Sequence, residues 1–564
     1  MLNTVHLLAI PGLFIVYDLW KYLLRRHRQA LSYPPGPKGL PIIGSFFDAL
    51  TPRTGLETQW AIFRDMGHIY HSDVLHIDVL GDHTVVLNSA KAAEELLERR
   101  SGIYSSRPTM YMANESGWGW NFATMPYTLW WRLHRRTFHQ HFRSEAIATY
   151  HPFIRQATSR LLRSLSCIQS TTMVTQYDDL QAVFRQHAAS IILYTTYGIT
   201  EQEDMEAFVE LVNNAAESLA TFSHGNFLVD YFPLLRYVPA WFPGAHFKRK
   251  ATRWSQLTSE LVNKPWNQLR ASISSGTAIS CFGTKCLQKL DLTFNAADAT
   301  EDTSYLGMSK TDSDTKMEEI VRNCAGTAYV AGSDTSVSLT LISVLVLSHH
   351  PEIQAKAQEE LDRVLGSTAN SSQLPDFSDQ GSLPYVEAVF KEILRMYPSA
   401  PLGVPHYSVA DDVYEGYFIP KGTTVVGNAW AILHDESLYP DPLTFNPDRF
   451  LRTEPQRGAP PAKHSLNPDP ELYAFGFGRR ICPARHLALD TSWLVLVCLL
   501  ATCNITRISS DNTEPKSNEI DPIVDLVDGP VVHPKPFKSC ITPRSAGAFE
   551  LMKSGYEVGV EVEA

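Results

Sequence analysis

Cysteine is sparse in this sequence, and none of it falls into a C-x-x-C pair. The 564-residue chain carries eight cysteines, at 167, 281, 286, 324, 482, 498, 503 and 540. The close pairs Cys281/Cys286 and Cys498/Cys503 lack the two-residue gap of zinc ribbons and thioredoxin-like redox sites. Such thin usage in a long chain points to reduced thiols in a cytosol-facing compartment. Positive charge is also short: the formal net charge is −11 and the pI is near 6.0. No basic run is interleaved with aromatics, and no helix-turn-helix or zinc-finger spacing occurs, which argues against nucleic acid as a partner. Between residues 57 and 545 there is neither an internal repeat nor a second Pro/Gly-rich linker. With 44% hydrophobic residues the chain has ample material for one large core.

The amino terminus is apolar but short. It runs from Val5 to Tyr17, is interrupted by Asp18 and Lys21, and ends in Arg25, Arg26 and Arg28. A full membrane span needs about 20 apolar residues, and this stretch only marginally reaches that. A cleaved signal peptide would carry its positive charge before the apolar run. The reversed order favours an uncleaved anchor with a cytoplasmic basic flank, while Asp18 and Pro11 keep an interfacial helix open as the alternative. The expected organisation is therefore an anchor over 1–28, a hinge over 29–56, a body over 57–545 and a tail over 546–564. The hinge holds "YPPGPKGLPIIGS", whose clustered Pro and Gly favour stiff extended backbone.

Helical periodicity dominates the body. It predicts helices over Ala90–Arg100, Thr128–Phe142, Glu145–Ile168, Asp178–Tyr197, Glu201–Thr221, Ala245–Ser272, Met317–His349, Pro351–Leu365, Tyr385–Tyr397 and Arg485–Leu500. Strand-like stretches are few: "VLHIDVLGDHTVVLN", and "YEGYFIPKGTTVVGN" read as a hairpin turning at Pro420-Lys421-Gly422. The polar, acidic segment Gly283–Lys316 reads as a mobile surface loop. The fold class expected is mainly α with a small β region.

The stretch "YAFGFGRRICPARHLA" sets Cys482 after a loop with two glycines and two arginines and before a helix. Such a cysteine could be a packing residue, a disulfide partner, a nucleophile or a metal ligand. Converging backbone N–H groups and nearby cations favour thiolate over thiol, which suits a ligand to haem iron. Three further segments carry polar groups in apolar settings. "AGSDTS" places Asp334 and Thr335 midway along a long apolar helix, where an isolated pair would ordinarily be capped or water-bridged. "KEILRMYP" sets Glu392 and Arg395 at i and i+3 on one face, with Arg449 downstream in "FNPDRF"; an exposed pair is the commoner meaning of that spacing. "YTLWWRLHRRTFHQHF" puts Trp131 and Arg135 one helical turn apart, as a solvated basic face also would.

Taken in order, W-x-x-x-R, A-G-x-D-T, E-x-x-R, P-x-R-F and F-x-x-G-x-R-x-C make the chain resemble a cytochrome P-450 from the hinge to "HPKPFKSCITPR". The phrases "YFPLLRYVPAWFPGAHFKRKA" and "DDVYEGYFIPKGTTVVGNAWAILHD" are similar to microsomal members from fungal natural-product pathways. The resemblance implies the cytochrome P-450 fold, a single large haem domain behind an N-terminal membrane anchor. It implies haem b with Cys482 as the axial metal ligand, and Trp131, Arg135, Arg480 and His406 around the propionates, with Phe475 also at the cofactor. It assigns Asp334 and Thr335 to proton delivery during dioxygen activation, and Glu392, Arg395 and Arg449 to a structural network.

The function so implied is a monooxygenase drawing NADPH electrons through a cytochrome P-450 reductase, with cytochrome b5 as a second donor, at the endoplasmic reticulum membrane. A lipophilic small-molecule substrate of terpenoid or polyketide class would meet walls from Arg107–Met125, Ala328–Thr335, Ser399–His406 and Asp528–Val532. The alternative is an isomerase or dehydratase of the same fold acting without dioxygen; such relatives often lose the acid–alcohol pair that stands here. Two departures are visible: Ala484 replaces the usual Gly two residues after the cysteine, and Asp448 replaces the more usual Glu before Arg449.

Overall fold

The computed structural model describes residues 31–40, 44–45, 58–171, 174–200, 202–223, 227–295, 310–366, 373–451, 467–508, 520–521, 523 and 525–556. The anchor expected over 1–28 lies outside the described residues, as does most of the hinge. The hinge residues that are described lie against a sheet: Tyr33 stacks on His76 at 4.5 Å between ring centroids, and the His76 N–H donates to Pro35 O at 2.8 Å.

Helices form most of the molecule, and their ends follow local chemistry. Thr128 caps Leu129–Phe142, its hydroxyl accepting from the Trp131 N–H at 3.3 Å. Trp131, His134, Phe138 and Phe142 are buried along that helix, the three-to-four spacing of a single face. The helix expected over Glu145–Ile168 is broken into Ser144–Ile147, a 3-10 turn Ala148–Tyr150 and His151–Thr171. Pro152 explains the restart, because proline lacks an N–H and suits a first turn. The loop expected over Gly283–Lys316 needs larger correction. Phe282–Asn295 is a helix, and Lys310 already belongs to the long one, so only the residues between, outside those described, are left of it.

That long helix, Lys310–His349, has 40 residues and therefore spans about 60 Å. It packs against Leu129–Phe142, Tyr177–Tyr197, His246–Ser275 and Arg485–Thr502. Thr315–His349 and Arg485–Thr502 are long and apolar enough to cross a membrane, yet 72% of each apolar window is buried inside the protein. Both are core helices here. Residues 546–554, the first part of the tail expected over 546–564, form the helix Ala546–Ser554 with Ala548, Leu551 and Met552 buried against the body.

The largest sheet has four strands in the order Val74–Val79, Asp82–Leu87, Thr424–Gly427, His406–Tyr407. The central pair is parallel, with Val85 opposite Val425, and the outer pairs are antiparallel. This corrects the hairpin expected at Pro420-Lys421-Gly422. A turn does form there, closed by the Thr423 N–H on Pro420 O at 3.2 Å, but its flanking strands pair elsewhere. Tyr417–Ile419 pairs with Asp412–Tyr414 across Glu415-Gly416, both at positive φ.

The E-x-x-R segment lies in Pro384–Met396, and its pair is wholly buried. Arg395 binds Glu392 with two parallel bonds of 2.7 and 2.9 Å, and Arg449 reaches the same carboxylate at 3.0 Å. The Asn446 N–H adds a bond of 2.8 Å, and the arginines spend their other donors on the carbonyls of Leu433, Pro440, Asp441 and Thr444. Full satisfaction is what makes such a buried ion network tolerable. Glu392→Ala strands two buried guanidiniums and is expected to lower the unfolding free energy by about 3–5 kcal/mol in urea titration. Lys553→Ala, which removes one partner of an exposed pair with Glu550, is expected to leave the midpoint unchanged.

Candidate functional site

The glycine-arginine loop is seated by close packing against the sheet side of the molecule. Gly478 has φ +54, and a Cβ there would lie 2.2 Å from the Leu97 carbonyl oxygen. That carbonyl belongs to Glu94–Arg99, a wide π turn that continues the helix Ala90–Ala93. One residue earlier, buried Phe477 fills the space left open by the missing side chain of Gly427. The loop then turns back on itself, the Cys482 N–H donating to Phe475 O at 2.8 Å. Phe475 thus meets the cysteine through its backbone, and its ring packs on the apolar core.

Cys482 is a free, partly exposed thiol, which removes the disulfide reading. Burial pushes the thiol up from its ordinary value; the Ala484 N–H, Arg135 and Arg485 act in the opposite direction. The Ala484 methyl therefore coexists with an N–H bonded to the sulfur. Among the described residues no three His, Cys, Asp or Glu side chains gather as a metal site. A metal held by Cys482 must bring its remaining ligands with it, as a porphyrin does.

Cations surround this loop, and among the described residues Arg107, Arg135 and Arg480 have no acidic partner. Arg480 donates to Ser105 O and Met125 O, both at 2.7 Å, and lies 4.0 Å from the centroid of the buried Trp131 ring. Arg135 donates to Ile481 O at 2.6 Å, one residue before the cysteine. Arg107 donates to the carbonyls of Ala123, Val404 and Pro405 at 2.7–3.0 Å. His406 gives its Nδ1 proton to Tyr104 O at 2.8 Å.

Burial depresses all four groups. Arg480 falls to about 9, with Arg135 the next cause, and Arg135 falls to about 10. Arg107 and His406 are held well below their ordinary values, Arg107 by burial and then Arg480, His406 by burial and then Arg107. Among the described residues no carboxylate pairs with Arg107, Arg135 or Arg480, and Arg480 Nη1 is buried without a partner. A buried donor left unmade costs about 1–3 kcal/mol. Anionic oxygens supplied from outside the chain would relieve both deficits, and two carboxylates on a flat macrocycle fit that demand.

Trp131, Arg135, Arg480, His406, Phe475 and Cys482 are thus brought to one region. Asp334 and Thr335 sit in the interior of the long helix and face different partners. The Thr335 hydroxyl donates to Ala331 O at 2.9 Å, four residues back, and the helix stays α-helical through the pair. The Asp334 carboxylate lies 3.1 Å from His533 Nε2 and 3.9 Å from Arg185 Nη2. Sequence reasoning missed Arg107 as a site cation, although an arginine set among apolar wall residues was the available signal. It also missed His533, for which "VVHPKPF" offered none.

The cytochrome P-450 family model matches residues 34–541. A cytochrome P-450 monooxygenase of Armillaria gallica is 36% identical over 547 residues, 97% of this chain and 98% of the relative. Cytochrome P-450 monooxygenase 98 of Postia placenta is 37% identical over 558 residues, 98% of each chain. A monooxygenase of Aspergillus oryzae is 32% identical over 544 residues, covering 95% of this chain and 94% of its own. The chain belongs to the cytochrome P-450 family, and with it comes haem b; it is an oxidoreductase of the monooxygenase kind.

Gly478→Ala combines a positive φ with a collision against backbone, and is expected to cut haem bound per chain several-fold. The ratio of Soret to protein absorbance in purified enzyme measures this. Gly102→Ala, where a Cβ meets nothing within 4 Å, is expected to leave the ratio unchanged.

Proposed function

We propose that Cys482 is the thiolate ligand of the haem iron, that Arg107, Arg135, Arg480, Trp131 and His406 hold the propionates, and that the enzyme oxidises a lipophilic small molecule. The observation that carries this reading is the set of buried guanidiniums without carboxylate partners beside a free thiol. The haem supplies dioxygen activation and oxidation of the substrate carbon, with the thiolate favouring O–O cleavage. The residues supply the rest. Arg135 braces the cysteine loop through Ile481 O, and the Ala484 N–H steadies the sulfur. The segments Arg107–Met125, Ala328–Thr335, Ser399–His406 and Asp528–Val532 orient the substrate and exclude water.

Asp334 and Thr335 move protons toward the reacting oxygen. For Thr335 this requires the hydroxyl to turn from Ala331 O, a bond of ordinary strength worth about 1 kcal/mol net. Electrons come one at a time from NADPH through a reductase, with cytochrome b5 as a further donor. The terpenoid or polyketide class of substrate, in fungal secondary metabolism, is supported by the apolar walls and by relatives that are fungal monooxygenases. Attachment to the endoplasmic reticulum membrane through residues 1–28 is supported by a second apolar surface: Tyr237 and Trp241 are 68% and 79% exposed beside Leu228 and Leu234. The acid–alcohol pair weighs against a dioxygen-independent isomerase.

Cys482→Ala is expected to abolish the thiolate-type carbon monoxide difference spectrum and the oxidase activity together; an unchanged spectrum overturns the ligand assignment. Thr335→Ala is expected to raise hydrogen peroxide released per NADPH consumed by several-fold at similar haem content. Equal coupling in variant and parent removes the proton-delivery role.

A further inference from the structure

The short strand His533–Pro534 is fastened to the long helix over a single turn. His533 Nε2 meets Asp334 Oδ1 at 3.1 Å, and four residues along the helix the Ser338 hydroxyl donates to the Val532 carbonyl. Ser399 closes the arrangement from another segment. Its carbonyl accepts from the Val532 N–H at 2.9 Å, and its hydroxyl donates to Thr335 O at 3.3 Å. The acid and alcohol residues are therefore tied to the same two chain segments assigned above to the substrate walls.

Within that arrangement Asp334 has one short side-chain contact. The groups facing it are His533 from the strand, and Arg185 and Tyr177 from the helix Tyr177–Tyr197. Arg185 Nη2 stands 3.9 Å away, beyond direct hydrogen-bond reach, and the Tyr177 hydroxyl accepts from Gln181 at 3.2 Å. Burial alone would raise the Asp334 carboxyl. The hydrogen bond and charge of His533, followed by the charge of Arg185, outweigh burial and hold it below the usual carboxylate value. His533 Nδ1 and Arg185 Nε are buried without partners, so the pocket around the carboxylate has unused polar capacity.

We propose that His533 is a positioning residue for Asp334, holding its carboxylate against the strand and so setting how readily it turns to deliver a proton. The inference rests on the reading that Asp334 and Thr335 feed protons to the reacting oxygen. The carboxylate must leave His533 Nε2 before it can turn, so the contact slows delivery, and more dioxygen leaves as hydrogen peroxide with the two electrons that NADPH supplies through the reductase. No bond is made or broken in this role; His533 only holds or releases the side chain that carries the proton.

The test uses the full-length haem-loaded enzyme with reductase and NADPH and no added substrate, reading hydrogen peroxide formed per dioxygen consumed. His533→Ala frees the carboxylate and is expected to lower this fraction. His533→Gln, which keeps an N–H donor, is expected to return it to near the parent's value. Ser338→Ala, which loosens the same strand and spares His533, is expected to keep the parent's fraction; a fall there would assign the effect to strand attachment and overturn the inference. A parent-like fraction in His533→Ala also overturns it.

Asp334→Asn separates this failure from failure of the underlying reading. If that variant leaves the peroxide fraction unchanged, Asp334 carries no proton. If it raises the fraction while His533→Ala keeps the parent's fraction, only the role of His533 falls. Thermal unfolding of His533→Ala, Asp334→Asn and the double variant gives a readout independent of turnover: non-additive melting shifts are expected, and additive ones remove the contact on which the proposal stands.

Discussion

Arg107 and Arg135 from one region of the chain and Arg480 from another converge near a cysteine, a tryptophan ring and backbone carbonyls. Carbonyl dipoles satisfy most of their donors but cannot cancel their charge. The result is a cluster of largely buried positive charge, a cost that an anionic group beside it would relieve. Many other local features follow from keeping these groups in place. The π turn at Glu94–Arg99 presents the Leu97 carbonyl to Gly478, Phe477 seats against Gly427, and Trp131 lies flat under Arg480. The buried Glu392–Arg395–Arg449 network fixes the neighbouring segments by saturating every donor it has room for.

The long helix separates two chemistries. Toward the cysteine loop the described residues offer cations without paired carboxylates. Around Asp334 and Thr335 it offers a carboxylate gripped by an imidazole and a hydroxyl turned back onto its own helix. Neither group is poised toward the other in this arrangement. On the proposed proton-delivery reading, motion of side chains, on a helix that itself remains regular, is the step the sequence motif alone does not reveal.

Much of the architecture was legible in the amino-acid order because periodicity reports burial. The helices Leu129–Phe142 and Tyr177–Tyr197 appear within a residue of the spans that apolar spacing and caps predict. Misreadings arose where local and long-range signals part. Phe282–Asn295 looked like loop because several polar residues interleave its buried Phe282, Gly283 and Cys286. The turn at Pro420-Gly422 has the right local chemistry, yet a strand's partner is chosen by distant sheet contacts. At the site, motif order located the cysteine, Trp131, Arg135 and Arg480. Arg107 and His533 are single residues whose surroundings come largely from segments far along the chain, which no spacing rule can register.

The bond from Arg135 to the carbonyl of Ile481 bridges 346 positions in the chain. On a ribosome adding about 5–20 residues per second, the first of these emerges tens of seconds before the second exists. Through that interval the helix bearing Arg135 and Trp131 has no loop to close against. On the proposed ligand assignment, cofactor capture is accordingly a late event in biogenesis, and a translation product truncated before Cys482 would lack the thiolate that retains the pigment.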